Sequence, residues 1–199
     1  MRELLRLIRS DVRAKARWFY EAEDFRAQLK ALATDGTAAM LLYRFMQGSR
    51  RGGFPALEMV FGKLISTVGG CIIGRGAEFG SGFVLVHSQG VVINGAVRGG
   101  ADVTIEHQVT IGAEKRASPV IGNGVFIGAG AKIIGAVTLG DGARVGANAV
   151  VVHDVPPHVT VVGIPARPVS RHSAGAVDSL PPDPGGGPKT RMSREKISR

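Results

Sequence analysis

The stretch IGAGAKIIGAVTLGDGARVG (residues 127–146) carries an aliphatic side chain at every sixth position. The same step of six, followed from residue 73 to residue 151, meets fourteen positions, of which thirteen are aliphatic or Phe. These positions are Ile73, Phe79, Leu85, Val91, Val97, Val103, Val109, Lys115, Ile121, Ile127, Ile133, Leu139, Val145 and Val151. A period of six belongs neither to an α-helix nor to a simple alternating strand. It predicts a parallel β-helix built from hexapeptide repeats.

In such a fold three short strands complete one triangular coil of about eighteen residues, with one aliphatic side chain per strand pointing inward. Equivalent positions on successive coils then stack into apolar columns, and the step of six predicts Leu85, Val103 and Ile121 in one column. Burying each side chain stabilises the fold by roughly 1.5–3 kcal/mol before chain entropy is subtracted. Residues 112–119 (GAEKRASP) interrupt the pattern at Lys115. We predict that they form a loop that leaves a corner and returns in register.

The remaining segments flank the repeats. Apolar residues at helical spacing predict a small N-terminal helical domain that caps the open end of the β-helix. A Pro- and Gly-rich C-terminus has a composition typical of disorder. We therefore predict a mainly β fold class. Its parts are a helical domain over 1–68, with helices at 3–17, 21–33, 37–47 and 55–67, a β-helix with its cap over 69–169, and a disordered basic tail over 170–199.

Composition narrows the functional classes. The formal charge of +9 is uneven, because residues 1–51 hold eleven Lys/Arg against six Asp/Glu while residues 52–169 hold eight against seven. No nucleic-acid-binding motif accompanies the basic segments, so we expect no nucleic-acid partner. The basic first helix should pack on its own domain, and contact with an anionic membrane surface is the less favoured alternative. The single cysteine, Cys71, and the absence of a long apolar run indicate a cytoplasmic protein.

Several segments together resemble the bacterial serine O-acetyltransferases of the left-handed β-helix acyltransferase superfamily. They are GCIIGRGAEFG (70–80), LVHSQGVVIN (85–94), DVTIEHQVTIG (102–112), IGAGAKIIG (127–135), VPPH (155–158) and IPARPV (164–169). The resemblance covers about residues 37–169. It implies coils that wind left-handed and a homotrimer with active sites in the clefts between subunits. Some relatives pair two trimers.

The resemblance also implies an activity and its residues. The donor is acetyl-CoA, and His87 matches the catalytic histidine of the family. Backbone contacts to the pantetheine arm correspond to Gly112, Ala129 and Ala147. Arg144 matches a basic position near the CoA phosphates, and Arg167 is a further candidate for the phosphates.

We expect His87, two positions after the inward Leu85, to face outward and to act as the general base. His107 is the alternative base, and Glu106 could orient either imidazole. The chain departs from the family at the residues that orient the base or bind serine. The family has Asp at the positions of Ile72 and Val86, and an Arg-His pair at Ala117–Ser118. No metal cluster is visible, since the two histidines lack convergent Cys or carboxylate partners.

Three functions stay open at this point. The first is an acetyl-CoA-dependent O-acetyltransferase that uses His87, with L-serine or a sugar hydroxyl as the small-molecule acceptor. The second is an amino-sugar N-acetyltransferase that uses His107. The third is a non-catalytic β-helix scaffold.

Overall fold

The computed structural model describes residues 2–169, and the tail predicted to be disordered, 170–199, lies outside the described residues. Four α-helices come first, as predicted. Pro55 begins the fourth helix, where its missing N–H costs nothing. Asp24 caps the second helix by accepting a hydrogen bond from Ala27 N at 2.7 Å. The helices are α1 (Arg2–Tyr20), α2 (Phe25–Leu32), α3 (Thr37–Arg51) and α4 (Pro55–Val68).

Fifteen short strands follow within the described residues and form the three faces of a parallel β-helix. Face A contains β1 (Ile72–Ile73), β4 (Val92–Ile93), β7 (Thr110–Gly112), β10 (Lys132–Ile134) and β13 (Val150–Val151). Face B contains β2 (Glu78–Phe79), β5 (Arg98–Gly99), β8 (Val120–Ile121) and β11 (Thr138–Leu139). Face C contains β3 (Val84–Leu85), β6 (Thr104–Ile105), β9 (Phe126–Ile127), β12 (Arg144–Val145), β14 (Thr160–Val162) and the antiparallel β15 (Arg167–Pro168). The mainly β fold class, a parallel β-helix with an N-terminal helical region, is confirmed.

The columns of the core differ from the predicted ones. Leu85 pairs with Ile105, and Ile105 pairs with Ile127, so Val103 is not in the column of Leu85. Ile121 lies on another face, in register with Gly99. The prediction of Leu85, Val103 and Ile121 in one column was therefore wrong.

The error has a physical cause. Each hexapeptide buries two side chains: one from the strand, and one from the residue two positions before that strand residue. A shift of two residues in the register between coils therefore leaves the apolar pattern intact. Eight residues separate Leu85 from Ile93, and ten separate Ile111 from Ile121. The two insertions, of two and four residues, add up to one full repeat. Val91, Val97, Val103 and Val109 are fully buried all the same, because they occupy the second inward position.

The larger insertion is the loop predicted at 112–119. Glu114 and Ala117 exchange two backbone hydrogen bonds of 3.0 Å across its tip. Lys115 lies at the tip with a positive φ of 57°. The chain leaves face A after Gly112 and returns in β8 on face B, which confirms the prediction of a loop that returns in register.

The helices extend the core of the β-helix. Met40, Tyr43 and Ile65 are fully buried and belong to the same apolar cluster as Ile73 and Phe79. Tyr43 donates its hydroxyl hydrogen to Ala77 O at 3.1 Å. The first coil is therefore covered by helices, as the predicted cap required.

A buried ion pair joins α1, α3 and the first coil. Arg44 Nε donates to Asp11 Oδ2 at 2.6 Å, and Arg44 Nη2 donates to Asp11 Oδ1 at 3.0 Å. The same guanidinium donates to Phe79 O at 2.9 Å, while Phe83 N donates to Asp11 Oδ1 at 3.0 Å. Both charged groups are thus fully hydrogen-bonded away from water, the condition under which burial of a pair is tolerated.

Candidate functional site on the edge between faces C and A

One edge of the prism gathers four of the predicted site residues. The chain turns from face C to face A after Leu85, Ile105, Ile127 and Val145, which are in register on successive coils. Two residues beyond each of these lies an edge residue. We call this row the C–A edge, and its members in order are His87, His107, Ala129 and Ala147.

Backbone hydrogen bonds hold His107, Ala129 and Ala147 of the C–A edge in register. On the first coil Gln108 N donates to Gln89 O at 2.8 Å, so His87 lies within the two-residue insertion that follows Leu85. Gly130 N donates to His107 O at 2.9 Å, and Asn148 N donates to Ala129 O at 2.8 Å. Strands of neighbouring coils lie about 4.8 Å apart, so the three steps from His87 to Ala147 span roughly 14 Å. Two imidazoles at one end of the row are thus followed by two methyl groups, beside which a narrow ligand can lie close to the backbone.

His87 is paired with a carboxylate from the helical region. Its Nδ1 lies 3.1 Å from Oδ2 of Asp35, and both side chains are about half exposed. A proton on Nδ1 donates to this carboxylate and leaves Nε2 as the free basic nitrogen. The Asp–His arrangement fixes the ring and its tautomer, as an activated base requires. Phe19 packs edge-on against the imidazole, with ring centroids 6.4 Å apart.

Asp35 is placed by the turn between α2 and α3. Gly36 adopts a left-handed φ of 78°, and a Cβ on it would lie 2.6 Å from Leu85 O. Only glycine allows the turn to approach strand β3 so closely. Gly36 N also donates to Asp35 Oδ1 at 2.8 Å, which leaves Oδ2 directed at the imidazole.

The side chain of Lys15 in α1 donates hydrogen bonds both to the turn that contains Asp35 and to strand β3. Its fully buried ammonium donates to Leu85 O at 2.7 Å and to the backbone oxygen of Asp35. Burial lowers the pKa of Lys15 to about 8, although the nearby charge of Asp35 opposes this. Lys15 thus connects the residue that orients His87 with the strand that carries His87.

His107 lies next to His87 on the following coil. The two ring centroids are 6.0 Å apart at an interplanar angle of 74°. Glu106 Oε2 lies 3.8 Å from His107 Nδ1, too far for a hydrogen bond. Among residues 2–169, His107 Nδ1 is the one buried side-chain nitrogen or oxygen atom of a non-exposed residue without a hydrogen-bond partner. Glu106 is therefore adjacent to His107, and Asp35 is the partner of His87.

The other predicted donor contacts lie away from the C–A edge. Gly112 ends β7 on face A, and Arg167 lies in β15, beyond the last coil. Arg144 projects from face C, where its guanidinium covers the ring of Phe126 at 4.6 Å. Trp18 of α1 also stacks on Phe126, with ring centroids 5.4 Å apart. The structure thus brings together His87, His107, Glu106, Ala129 and Ala147, and it leaves Gly112, Arg144 and Arg167 outside the row.

Asp35 is the residue that sequence reasoning missed. In the sequence, the Asp35–Gly36 dipeptide is a turn signal after the helix predicted at 21–33 and carries no functional motif. The position expected to orient the base holds Ile72, which lies on face A and is exposed. Nothing in the six-residue spacing links residue 35 to residue 87, so a sequence signal for this pair was lacking.

Two other groups of chemical interest are accounted for. Burial, reinforced by the charge of Asp35, raises the pKa of Cys71 to about 11, so this thiol is protonated at neutral pH and is no nucleophile. Residues 2–169 contain no group of three His, Cys, Asp or Glu side chains that could hold a metal ion. None of the helices in this range is both long and apolar enough to cross a bilayer.

Comparison with known sequences agrees with the architecture. Residues 118–153 match the family described as bacterial transferase hexapeptide (six repeats). The serine acetyltransferase of Helicobacter pylori strain J99 is 38% identical over 140 residues, which cover 68% of this chain and 82% of that protein. The serine acetyltransferase of Mycobacterium tuberculosis is 40% identical over 121 residues, 59% of this chain and 49% of the relative.

Comparison with solved structures gives the same result. The serine acetyltransferase of Neisseria gonorrhoeae superimposes with a TM-score of 0.78 at 33% identity, covering 85% of this chain and 67% of its own. A serine acetyltransferase in complex with CoA superimposes with a TM-score of 0.76 at 30% identity, covering 84% and 70%. The chain belongs to the serine acetyltransferase family and is a hexapeptide-repeat acyltransferase.

Proposed function

We propose that the protein transfers the acetyl group of acetyl-CoA to the hydroxyl of L-serine, with His87 as the general base. The observation that carries this proposal is the Asp35–His87 pair at one end of the C–A edge, 3.1 Å apart. The names of the relatives, and a neighbour solved with CoA, support the donor and the acceptor.

Asp35 and His87 supply the proton transfers. The Nδ1–H of His87 donates to Asp35, and Nε2 accepts the proton of the acceptor hydroxyl as its oxygen attacks the thioester carbonyl. The tetrahedral intermediate then breaks its C–S bond, and the proton on Nε2 passes to the departing CoA sulfur. The products are the acetyl ester and free CoA, and His87 is again neutral.

The small residues of the C–A edge are proposed to receive the donor. Ala129 and Ala147 allow the pantetheine arm to lie along the backbone, on the same row as the base. Gly112, Arg144 and Arg167 stay proposed donor contacts, the two arginines toward the CoA phosphates. Arg144 would have to leave Phe126 or bind phosphate while stacked on it.

A sugar hydroxyl is the second candidate acceptor, favoured by a specific observation. The loop that carries an Arg-His pair in the family holds Ala117 and Ser118 here. Ser118 Oγ donates a hydrogen bond to Asn94 Oδ1 at 3.1 Å. Val86, beside the base, is apolar and buried. These residues offer neither the cation nor the carboxylate that a zwitterionic amino acid attracts.

His107 is proposed to assist at the same site, and Glu106 to support it through their 3.8 Å contact. The amino-sugar N-acetyltransferase alternative assigns the base to His107 instead. We further propose a homotrimer, or a pair of trimers, in a cytoplasmic protein. Its helical domain would cover 1–68 and its β-helix with cap 69–169. Membership of an enzyme family disfavours the scaffold alternative.

Replacing each histidine in turn tests the assignment. His87→Ala should lower kcat roughly 10²–10⁴-fold in an acetyl-CoA consumption assay, because the base is lost. His153→Ala, a histidine exposed in the C-terminal cap, is the matched control and should keep wild-type turnover. Full turnover of His87→Ala together with an inactive His107→Ala would reject His87 and favour the N-acetyltransferase. The assay is run with serine, homoserine, sugars and amino sugars, so that the acceptor is read from the same experiment.

A further inference from the structure

A groove of about 950 Å³ lies between α1 and α2, on the helical region and independent of the acetyl-transfer site. One wall carries five arginines of α1 and the other carries three large apolar residues of α2. The arginines are Arg2, Arg6, Arg9, Arg13 and Arg17, and the apolar residues are Phe25, Leu29 and Leu32.

The arginines form a single stripe on α1. At 3.6 residues per turn their positions fall within about 80° of the helix circumference, on the side opposite the buried Lys15. All five residues are exposed. Within residues 2–169, only Arg17 of the five has a carboxylate partner, Glu23 at 2.9 Å. Four guanidinium groups therefore face solvent without a counter-charge from any carboxylate among residues 2–169.

Helix α2 is packed with its small side chains inward. Ala27 and Ala31 are buried against Ala16 of α1, whereas Phe25 is 79%, Leu29 57% and Leu32 47% exposed. A surface helix normally buries its large apolar residues and exposes its small ones. The three large residues follow one another at i, i+4 and i+7, so they form a continuous apolar ridge beside the arginine stripe.

We propose that this groove docks on the surface of an anionic phospholipid bilayer. Guanidinium groups bind phosphate oxygens bidentately, and the ridge can enter the boundary between headgroups and acyl chains. Each basic residue near an anionic surface strengthens binding about fivefold. A second copy docked through the same groove would bring ten arginines together. A nucleic-acid backbone would neutralise the arginines but leave Leu29 and Leu32 in water.

Co-sedimentation of the full chain with vesicles tests the proposal. The wild type should bind vesicles of phosphatidylcholine with 30% phosphatidylglycerol and not vesicles of phosphatidylcholine alone. The triple variant Arg6→Gln/Arg9→Gln/Arg13→Gln should bind roughly 100-fold more weakly. Phe25→Ser/Leu29→Ser should lose the part of binding that persists at high salt, because that part comes from apolar insertion. Serine or sugar acetylation should be unchanged in both variants, which shows that they fold.

The basic segment 170–199 provides the matched control, since it carries the same kind of charge and none of its residues belongs to α1 or α2. Arg191→Gln/Arg194→Gln/Arg199→Gln removes an equal charge and should leave binding to anionic vesicles within twofold of the wild type. The proposal is overturned if the tail variant loses binding while the groove variant keeps it. It is also overturned if Phe25→Ser/Leu29→Ser changes the oligomeric state in solution and leaves vesicle binding intact, because a second copy would then cover the ridge.

Discussion

Nδ1 of His87 lies 3.1 Å from Oδ2 of Asp35, although 52 residues separate the two along the chain. One residue belongs to the β-helix and the other to a turn between helices. The orienting carboxylate thus reaches the edge from outside the repeats, whereas the family pattern places it within them, at the position of Ile72. The orientation of His87, the proposed base, therefore depends on how the helical region packs against the β-helix.

Asp35→Asn should lower kcat by roughly 10–100-fold with little change in KM for acetyl-CoA, because the amide no longer fixes the tautomer of His87. Steady-state kinetics with the acceptor identified in the acetyl-CoA consumption assay measure both constants. Asp24→Asn is the matched control, since an Asn caps α2 as well as an Asp does. Wild-type kcat in Asp35→Asn would exclude a positioning role.

Lys15 should make the free energy of unfolding increase with pH between about 8 and 10.5. Its pKa is about 8 in the folded chain against an ordinary value of 10.5, so between these pH values the unfolded chain binds more protons. The cost of burying the charge is complete below about pH 8 and declines as the pH rises to 10.5. The free energy of unfolding of the wild type relative to Lys15→Met should therefore rise across this window. Urea unfolding at several pH values checks it, and a difference independent of pH contradicts it.

Asp11→Ala should destabilise the protein by roughly 3–5 kcal/mol, because it leaves the buried guanidinium of Arg44 without its partner. Asp11→Leu/Arg44→Met should be less destabilised than Asp11→Ala, since both charges are gone. Glu23→Ala breaks an exposed pair with Arg17 and serves as control, with an expected change below about 1 kcal/mol. Thermal or urea unfolding gives the comparison, and equal losses for the buried and exposed pairs would contradict the role of burial.

Gly99 and Phe79 should be coupled in the core. A Cβ on Gly99 would lie 2.2 Å from the Phe79 ring, so the ring fills the space above glycine. Gly99→Val should cost roughly 1–3 kcal/mol through overpacking. Combining it with Phe79→Leu should recover part of the loss, with a coupling energy of roughly 0.5–3 kcal/mol. Strict additivity of the two changes in urea unfolding would show that the residues do not compete for space.

The period of six predicted the fold because an inward column must be apolar on every coil. It could not fix the register, because the second inward position is apolar as well. Val103 and Ile105 are both fully buried, and only the strand pairing tells which of them stacks on Leu85. The two insertions together equal one repeat of six residues. The step of six therefore meets inward strand residues both before the first insertion and after the second.

The candidate site could likewise be predicted only in part from the sequence. His87 and His107 could be proposed from local motifs, since each follows an inward residue of face C by two positions. Their common row with Ala129 and Ala147 depends on where the insertions fall, which the sequence pattern leaves open. Asp35 could not be predicted, because its contact with His87 is set by the packing of Gly36 and Lys15 against Leu85.

The row from His87 to Ala147 has a consequence for evolution and engineering. His107, Ala129 and Ala147 come from successive coils, so the separation along the row between the proposed catalytic end and the proposed donor contacts changes in steps of about 4.8 Å. Loops can grow at the corners, as residues 112–119 do, without altering that separation. Under the proposed function, a different distance between the proposed base and the proposed donor contacts would require the gain or loss of an entire coil, whereas the loop at 112–119 can change independently of that distance.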